Sequence, residues 1–404
     1  MNQPPRKLLL RNAALVLPDR MIDRGTILIE DGLISAIDES NAIEPADAEV
    51  LDLEGTTILP GFIDFHIHGA VGVDVMTATP DGLQEVSRYL ASQGVIAWVP
   101  TFVPASDENY ASAIGAISET IQSSESPVRA GSLQAADGAG ARVLGVHYEG
   151  PFVNSAQCGA LHVEYFKSYA SAADLDRLPV VDENKVRMIT LAPEVDGGVE
   201  LVRELKRRGW VISIGHTRAS LDVLDQAFNA GARHMTHFMN AMAPLHHRNP
   251  GPIAWGLANG DVSIDMIADG IHLDPFMLRL LLQIKGVRAI SLISDAIAAA
   301  GKGDGAYNIW GETISVKSGR TANASGSIAG SVISMLDAVR LLLSLGNSYI
   351  DVAQLASTNP ARLLGLAHEC GTLAPGKRAD LLALDAARNP HLTLIAGHVA
   401  FSQS

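Results

Sequence analysis

Six side chains spread along the chain are of the kinds that hold a divalent cation and move protons: His66, His68, Glu149, His216, His237 and Asp295. Imidazole nitrogen and carboxylate oxygen suit Zn²⁺ first, and Fe²⁺, Mn²⁺ or Co²⁺ as well. In His66-Ile67-His68 the histidines stand two apart, so on a strand both rings project to one side and reach one ion. One ion would take His66, His68 and Glu149, and a second would take Glu149, His216 and His237 with the carboxylate as bridge. Glu149, His216 and His237 are equally able to hold a single ion by themselves. Water on such an ion has its pKa lowered to about 7 and becomes a nucleophile at neutral pH. Asp295 is then the group to accept its proton and return it to a leaving amine. Taken singly, a strand-end histidine is an ordinary core or turn residue, and Asp295 reads as the N-cap of a helix over Ala296–Ala300. The conjunction of four histidines with two carboxylates is what points to chemistry.

These residues converge only if the fold brings distant segments together. Eight strand-like apolar runs alternate with helix-like segments: Thr57–His68, Ala97–Phe102, Val143–Glu149, Arg187–Leu191, Val211–Gly215, His234–Phe238, Val262–Ile267 and Ala289–Ser294. That alternation predicts an α/β fold, a (β/α)8 TIM-like barrel over residues 59–370. Each candidate ligand lies at or just beyond the C-terminal end of its run, the rim where such barrels build their sites. Short β segments separated by turn residues fill 1–58 and 371–404, and predict a small β-sandwich domain formed by both chain termini. The Ser/Gly/Ala-rich interval 122–142 reads as a flexible insertion before the third strand.

Composition narrows the function classes. A formal charge of −14 argues against nucleic acid, which needs a basic stripe, and requires any bound phosphate to meet positive charge supplied locally. The two cysteines, Cys158 and Cys370, have no metal-like spacing and form no disulfide framework, so a reducing cytoplasm is the simplest compartment. Cys158 reads as a buried thiol near the mouth. The leucine run ending at Arg11 is too short for a signal-peptide core, and the most apolar helix, Val332–Leu345, is broken by Asp337 and Arg340, so no membrane partner is expected. His147, two residues before Glu149, reads as a supporting or packing residue, and His234, His368, His391 and His398 as structural or solvated.

With these residues in place, the sequence resembles the amidohydrolase superfamily and, within it, the N-acetylglucosamine-6-phosphate deacetylase family. The resemblance runs over nearly the whole chain. It is carried by Pro60-Gly61-Phe62-Ile63-Asp64-Phe65-His66-Ile67-His68-Gly69, His147-Tyr148-Glu149-Gly150-Pro151-Phe152, Leu191-Ala192-Pro193-Glu194, Gly215-His216-Thr217, Met235-Thr236-His237-Phe238-Met239-Asn240-Ala241-Met242, Ala268-Asp269-Gly270-Ile271-His272 and Ser294-Asp295-Ala296. The fourth run, Met188-Ile189-Thr190-Leu191, offers no lysine to bridge two metals, which disfavours the cyclic-amide hydrolases of the superfamily. The resemblance implies metal-dependent hydrolysis of the acetamide of N-acetyl-D-glucosamine 6-phosphate. Its alternatives are another N-acyl amine, such as N-acetylgalactosamine 6-phosphate, and a non-catalytic scaffold that has lost its metals.

The same resemblance assigns roles. His272 would polarise the acetyl carbonyl; Asn240 and Ala241 would lend backbone amides to the phosphate, and Arg248, with His247 beside it, would pair with it. In the family such an arginine reaches in from a neighbouring subunit, which implies a homodimer. Ala329 and Gly330 would line the substrate pocket. A histidine that touches the sugar follows the glutamate motif in the family; here, after Gly159-Ala160, His162 is displaced by one residue. Ser294 stands where threonine is common.

Overall fold

The computed structural model describes residues 7–39, 43, 45, 47–124 and 140–403. Eight parallel strands form the central sheet: β1 (Phe62–Ile67), β2 (Val95–Phe102), β3 (Gly145–Glu149), β4 (Val186–Leu191), β5 (Val211–Ile214), β6 (His234–Met235), β7 (Ser263–Ile267) and β8 (Ile290–Ile293). Each hydrogen-bonds to the next in chain order, with Arg142–Val143 added on β2. The ring closes at its C-terminal end, where Asp295 N–H donates to His66 C=O at 2.9 Å and His68 N–H to Ala296 C=O at 2.8 Å. All eight residues of β2 are buried, as expected of parallel strands covered on both faces.

Helices such as Pro80–Ser92, Gly198–Arg207, Leu221–Ala230 and Pro275–Lys285 return the chain between strands. Their starts are written in the sequence. Thr79, Ser220 and Asp274 each accept a first-turn backbone N–H, which satisfies a donor the helix itself cannot. Their apolar stripes pack on the strands to form the main core around Phe62, Trp98, Tyr148, Ile189, Ile264 and Leu292.

The first apolar run divides at Gly61. Thr57–Pro60 leaves the barrel and pairs antiparallel with Leu381–Leu384 and parallel with Lys7–Val16, in an eight-stranded sheet drawn from both chain ends. A Cβ at position 61 would lie 2.2 Å from Ile96 Cγ2, so glycine is required where the chain passes between the two sheets. The terminal sheet has its own apolar core, including Leu8, Leu15, Ile27, Ile34 and Leu394. The leucine run near the start of the chain therefore belongs to a core strand.

Two local expectations change. No helix follows Asp295: residues 298–300 form turns, and Ala296 makes a parallel bridge to Ser331. After β8 the chain also builds a three-stranded antiparallel sheet, Gly305–Ile309, Glu312–Lys317 and Arg320–Ala322. Of the interval 122–142, residues 122–124 continue the helix Asp107–Ser124, Arg142 opens a short strand, and 125–139 lie outside the described residues. Among the described residues no helix is long and apolar enough to cross a membrane.

Candidate metal centre and active site

The ends of β1, β3, β5, β6 and β8 bring all six candidate ligands into one buried cluster. Two groups are compact enough to hold an ion, His66 with His68 and Asp295, and Glu149 with His216 and His237, each with its ligand atoms within 4.8 Å of one another. Glu149 stands between them. Its Oε1 lies 2.8 Å from His216 Nε2 and 2.9 Å from His237 Nε2, while His66 and His68 Nε2 lie 3.7 and 3.3 Å from its two oxygens. Asp295 Oδ1 lies 3.5 Å from His66 Nε2 and 3.2 Å from His68 Nε2, so the carboxylate sits nearer the first pair than the sequence pattern alone implied.

Backbone carbonyls fix the tautomers. Thr101 C=O lies 3.0 Å from His68 Nδ1, and Gln157 C=O 2.7 Å from His216 Nδ1. A carbonyl only accepts, so each Nδ1 carries a proton, and each Nε2 is the nitrogen left to bind a cation, in exchange for any proton it shares with the carboxylates. His216 and His237 Nε2 are 3.2 Å apart, and both nitrogens of His66 have no partner among the described residues. Lone pairs converging on carboxylate oxygens repel unless a positive charge lies between them, so the donor set fits a divalent cation.

Protons respond to the same crowding. Burial opposes charge on His68, but hydrogen bonds to Asp295 and Glu149 outweigh it and raise its pKa to about 10. His237 rises to about 9 against burial through its bond to Glu149. Burial would raise Glu149 and Asp295, yet the charge of His66 and hydrogen bonding from the other histidines hold both carboxylates low, Glu149 well below its usual range. Asp295 is thus an ionised base at neutral pH. His147 is held neutral first by burial, then by the charge of His66; its Nδ1–H donates to Phe65 C=O at 3.0 Å and its Nε2 accepts from Thr190 Oγ1 at 2.8 Å.

Several supporting groups escaped the sequence reading. Asp64 accepts from Ser294 Oγ at 2.5 Å and from the Ser294 N–H, tying the end of β1 to that of β8. Asp265 pairs with His234 Nε2 at 3.0 Å and accepts the His237 N–H, which gives buried His234 its structural role. Glu194 accepts from Asn154, Thr217 and the Arg218 N–H, joining the loops after β3, β4 and β5. Asp269 accepts His272 Nδ1–H at 2.7 Å together with the N–H groups of Ile271 and His272. Each partner pair is far apart in sequence or differs from it only in local geometry; for Asp269 the signal was its place three residues before His272.

The remaining candidates are more dispersed. Asn240 and Ala241 follow β6 in a tight turn, with Ala241 at φ 50° and its C=O accepting from Thr217 N–H. Arg248 and His247 lie exposed on the next loop, where Arg248 Nη1 donates to His247 Nε2 at 2.8 Å. His162 pairs with Glu164 at 3.2 Å. Ala160 packs on an apolar cluster that contains fully buried Ala329. Gly330, at φ 60°, presses on Asp295: a Cβ there would lie 2.8 Å from its carbonyl oxygen. A separate cavity of about 530 Å³ lined by Leu178, Val180, Arg187, Arg208 and Trp210 adjoins the N-terminal ends of β4 and β5, the opposite face from the ligands.

Eight parallel strands with imidazole and carboxylate ligands gathered at their C-terminal ends define a barrel of the metal-site hydrolase class. The chain belongs to the amidohydrolase family, whose characteristic sequence matches residues 57–400. It is 35% identical to the N-acetylglucosamine-6-phosphate deacetylase of Bacillus subtilis (strain 168), over 98% of this chain and 97% of that one. It is also 35% identical to the N-acetylgalactosamine-6-phosphate deacetylase of Escherichia coli O157:H7, over 97% and 98%. Among solved structures it resembles the N-acetylglucosamine-6-phosphate deacetylase from Pasteurella multocida, with TM-score 0.87, 25% identity and coverage of 97% of this chain and 99% of that one. It is likewise similar to a mutant of the Mycobacterium smegmatis deacetylase in complex with N-acetyl-D-glucosamine-6-phosphate, with TM-score 0.86, 29% identity and coverage of 98% and 100%.

Proposed function

We propose that this protein hydrolyses the acetamide of N-acetyl-D-glucosamine 6-phosphate, giving D-glucosamine 6-phosphate and acetate in amino-sugar catabolism. The observation that carries the reading is the meeting of Glu149 with His216 and His237 beside His66, His68 and Asp295, in a chain similar over nearly its full length to deacetylases of this kind. His66, His68, Glu149, His216 and His237 are assigned to hold one or two divalent cations, zinc by preference over iron, manganese or cobalt, and Asp295 to proton transfer beside them. When bound, the cation supplies Lewis-acid polarisation of the amide and lowers the pKa of water beside it.

The chain's own groups do the rest. Asp295 accepts the proton of the attacking water and returns it to the nitrogen of the leaving amine. His272, whose Nδ1–H donates to Asp269, donates from Nε2–H to the carbonyl oxygen as negative charge develops there. The backbone amides of Asn240 and Ala241 receive the phosphate. Arg248, exposed with His247 on the following loop, is assigned to the phosphate of a neighbouring subunit in a homodimer. Ala160, His162, Ala329 and Gly330 border the sugar side, Gly330 by holding Asp295. The segments 1–58 and 371–404 are assigned to the supporting domain of a barrel over 59–370, with Leu59–Pro60 pairing into the terminal sheet, and the enzyme works in the cytoplasm.

The similarity to an N-acetylgalactosamine-6-phosphate deacetylase, equal in identity to the first, favours the other hexosamine epimer as a second reading. Acetate release from both 6-phosphates and from unphosphorylated N-acetylglucosamine, on enzyme of known metal content, tests the assignment. Release from one or both phosphates, stopped by a chelator and restored by Zn²⁺, is the expected result. Equal rates without the phosphate would remove the phosphate from the reading, and no acetate from any substrate would overturn it.

A further inference from the structure

The three-stranded sheet that follows β8 carries one residue whose conformation makes sense only through what its side chain reaches. Ile309 and Glu312 pair across a two-residue hairpin loop, and both loop residues are left-handed, Trp310 at φ 54° and Gly311 at φ 78°. Such a loop favours Asn, Asp or Gly at its first position, because a side chain with a bulky Cβ substituent is strained there. The indole placed at this position stands edge-to-face on His68, with ring centroids 5.3 Å apart at 84°. Its Nε1–H is shielded from solvent and has no partner among the described residues. Its apolar body packs on the cluster of Ile297, Ala299, Ile309 and Ala329, against which Ala160 also lies. A buried donor without an acceptor is costly, and a rigid aromatic plane beside a ligand histidine is a wall of the reacting site.

We propose that Trp310 is the specificity-determining residue for the acyl group: its indole bounds the space beside the scissile carbonyl so that a two-carbon acyl chain fits and a longer one does not, and its Nε1–H donates to a substrate oxygen. The proposal rests on the deacetylase reading. The carbonyl carbon must lie at the ligand cluster, and the acyl carbon is one bond away, within reach of a ring that touches His68. The phosphate-receiving turn at Asn240 and Ala241 follows β6, whereas Trp310 follows β8 and touches a residue at the end of β1. In an amino-sugar 6-phosphate the acetamide and the phosphate occupy opposite ends of the ring, which matches that separation.

The test compares N-acetyl, N-propionyl and N-butyryl glucosamine 6-phosphates on metal-quantified full-length enzyme. The quantity read is the butyryl-to-acetyl ratio of kcat/KM, which cancels any loss of folded protein within one variant. Trp310→Ala should raise that ratio by about tenfold or more, the scale of discrimination one or two methylenes allow. Trp310→Phe, which keeps the plane and loses the donor, should hold the ratio near that of the unsubstituted enzyme while kcat/KM falls for all three substrates. Binding of N-acetylglucosamine 6-phosphate should alter the indole fluorescence of the unsubstituted enzyme and not that of Trp310→Phe. An unchanged ratio in Trp310→Ala overturns the proposal, as does an equal loss on all three substrates, which would make the indole a sugar platform. If the unsubstituted enzyme releases no carboxylate from any of them, the deacetylase reading fails first and this inference falls with it.

Discussion

At the mouth of the barrel His216, His237 and Asp295 hold left-handed backbone angles of 48°, 30° and 51°, while in the terminal sheet left-handed Asp31, Arg388 and Ala396 lie in turns between strands and Asn12 at a register shift within Lys7–Val16. The same conformational cost serves two ends. In the sheet it reverses the chain beside Gly32 and Gly397, as tight hairpins require. At the mouth it aims a histidine or carboxylate of the buried cluster, and neighbouring bonds hold it there: Asn154 N–H to His216 C=O at 3.0 Å, and Ser331 N–H to Asp295 C=O at 2.7 Å. The buried groups differ in kind as well. The terminal core is aliphatic, whereas the mouth buries imidazoles and carboxylates whose mutual repulsion a cation relieves. One region supplies stability and the other draws on it.

The largest effect that would sharpen this contrast is chemical. Asp295→Asn keeps the shape and removes the base, so kcat should fall about 100- to 10,000-fold with bound metal and KM little changed; a near-normal kcat would free Asp295 from its role. Gly330→Ala should come next, because the added Cβ meets Asp295 C=O and Ile297 and a displaced base costs about a hundredfold in rate. The same clash at a left-handed φ should also lower Tm by a few degrees, and a drop in Tm with intact kcat would break the comparison. Leu15→Ala empties a fully buried site in the terminal core and should cost about 2–5 kcal/mol of stability, read by urea denaturation, with kcat per folded molecule unchanged.

The smallest effect concerns Cys370, buried beside the terminal domain. Burial first, then the charge of Asp380, raises its thiol from 9.0 to about 11. The folded state therefore keeps a proton that the unfolded chain loses, so the contribution of this group to stability is full below pH 9.0 and is lost as pH rises through about 11. Iodoacetamide at pH 8 should label half-buried Cys158 well before Cys370 in the native protein. Equal labelling rates would contradict the burial assigned to Cys370.

The strands were legible because each parallel strand is a nearly continuous apolar run, and the clustering of the candidate ligands at one rim because each of them closes such a run. Gly61 was not legible as a boundary, since Thr57–Ile67 is apolar on both sides of it and only pairing assigns Thr57–Pro60 to the other sheet. The sheet after β8 was missed although Glu312–Lys317 alternates buried and exposed residues, a period-2 signal in plain sight. Glu194, Asp265 and Asp64 could not be read, because their work consists of hydrogen bonds to segments 23 to 230 residues away. Asp269 and Trp310 sit near recognisable features, but their relation to His272 and His68 exists only in three dimensions.

The pairing of Thr57–Pro60 with Leu381–Leu384 has a consequence during synthesis. The segment that launches β1 keeps one unsatisfied edge until Leu381–Leu384 has also been made, since that strand is its antiparallel neighbour. The barrel can close through Asp295 and Ala296 on the end of β1 before the terminal sheet receives Leu381–Leu384.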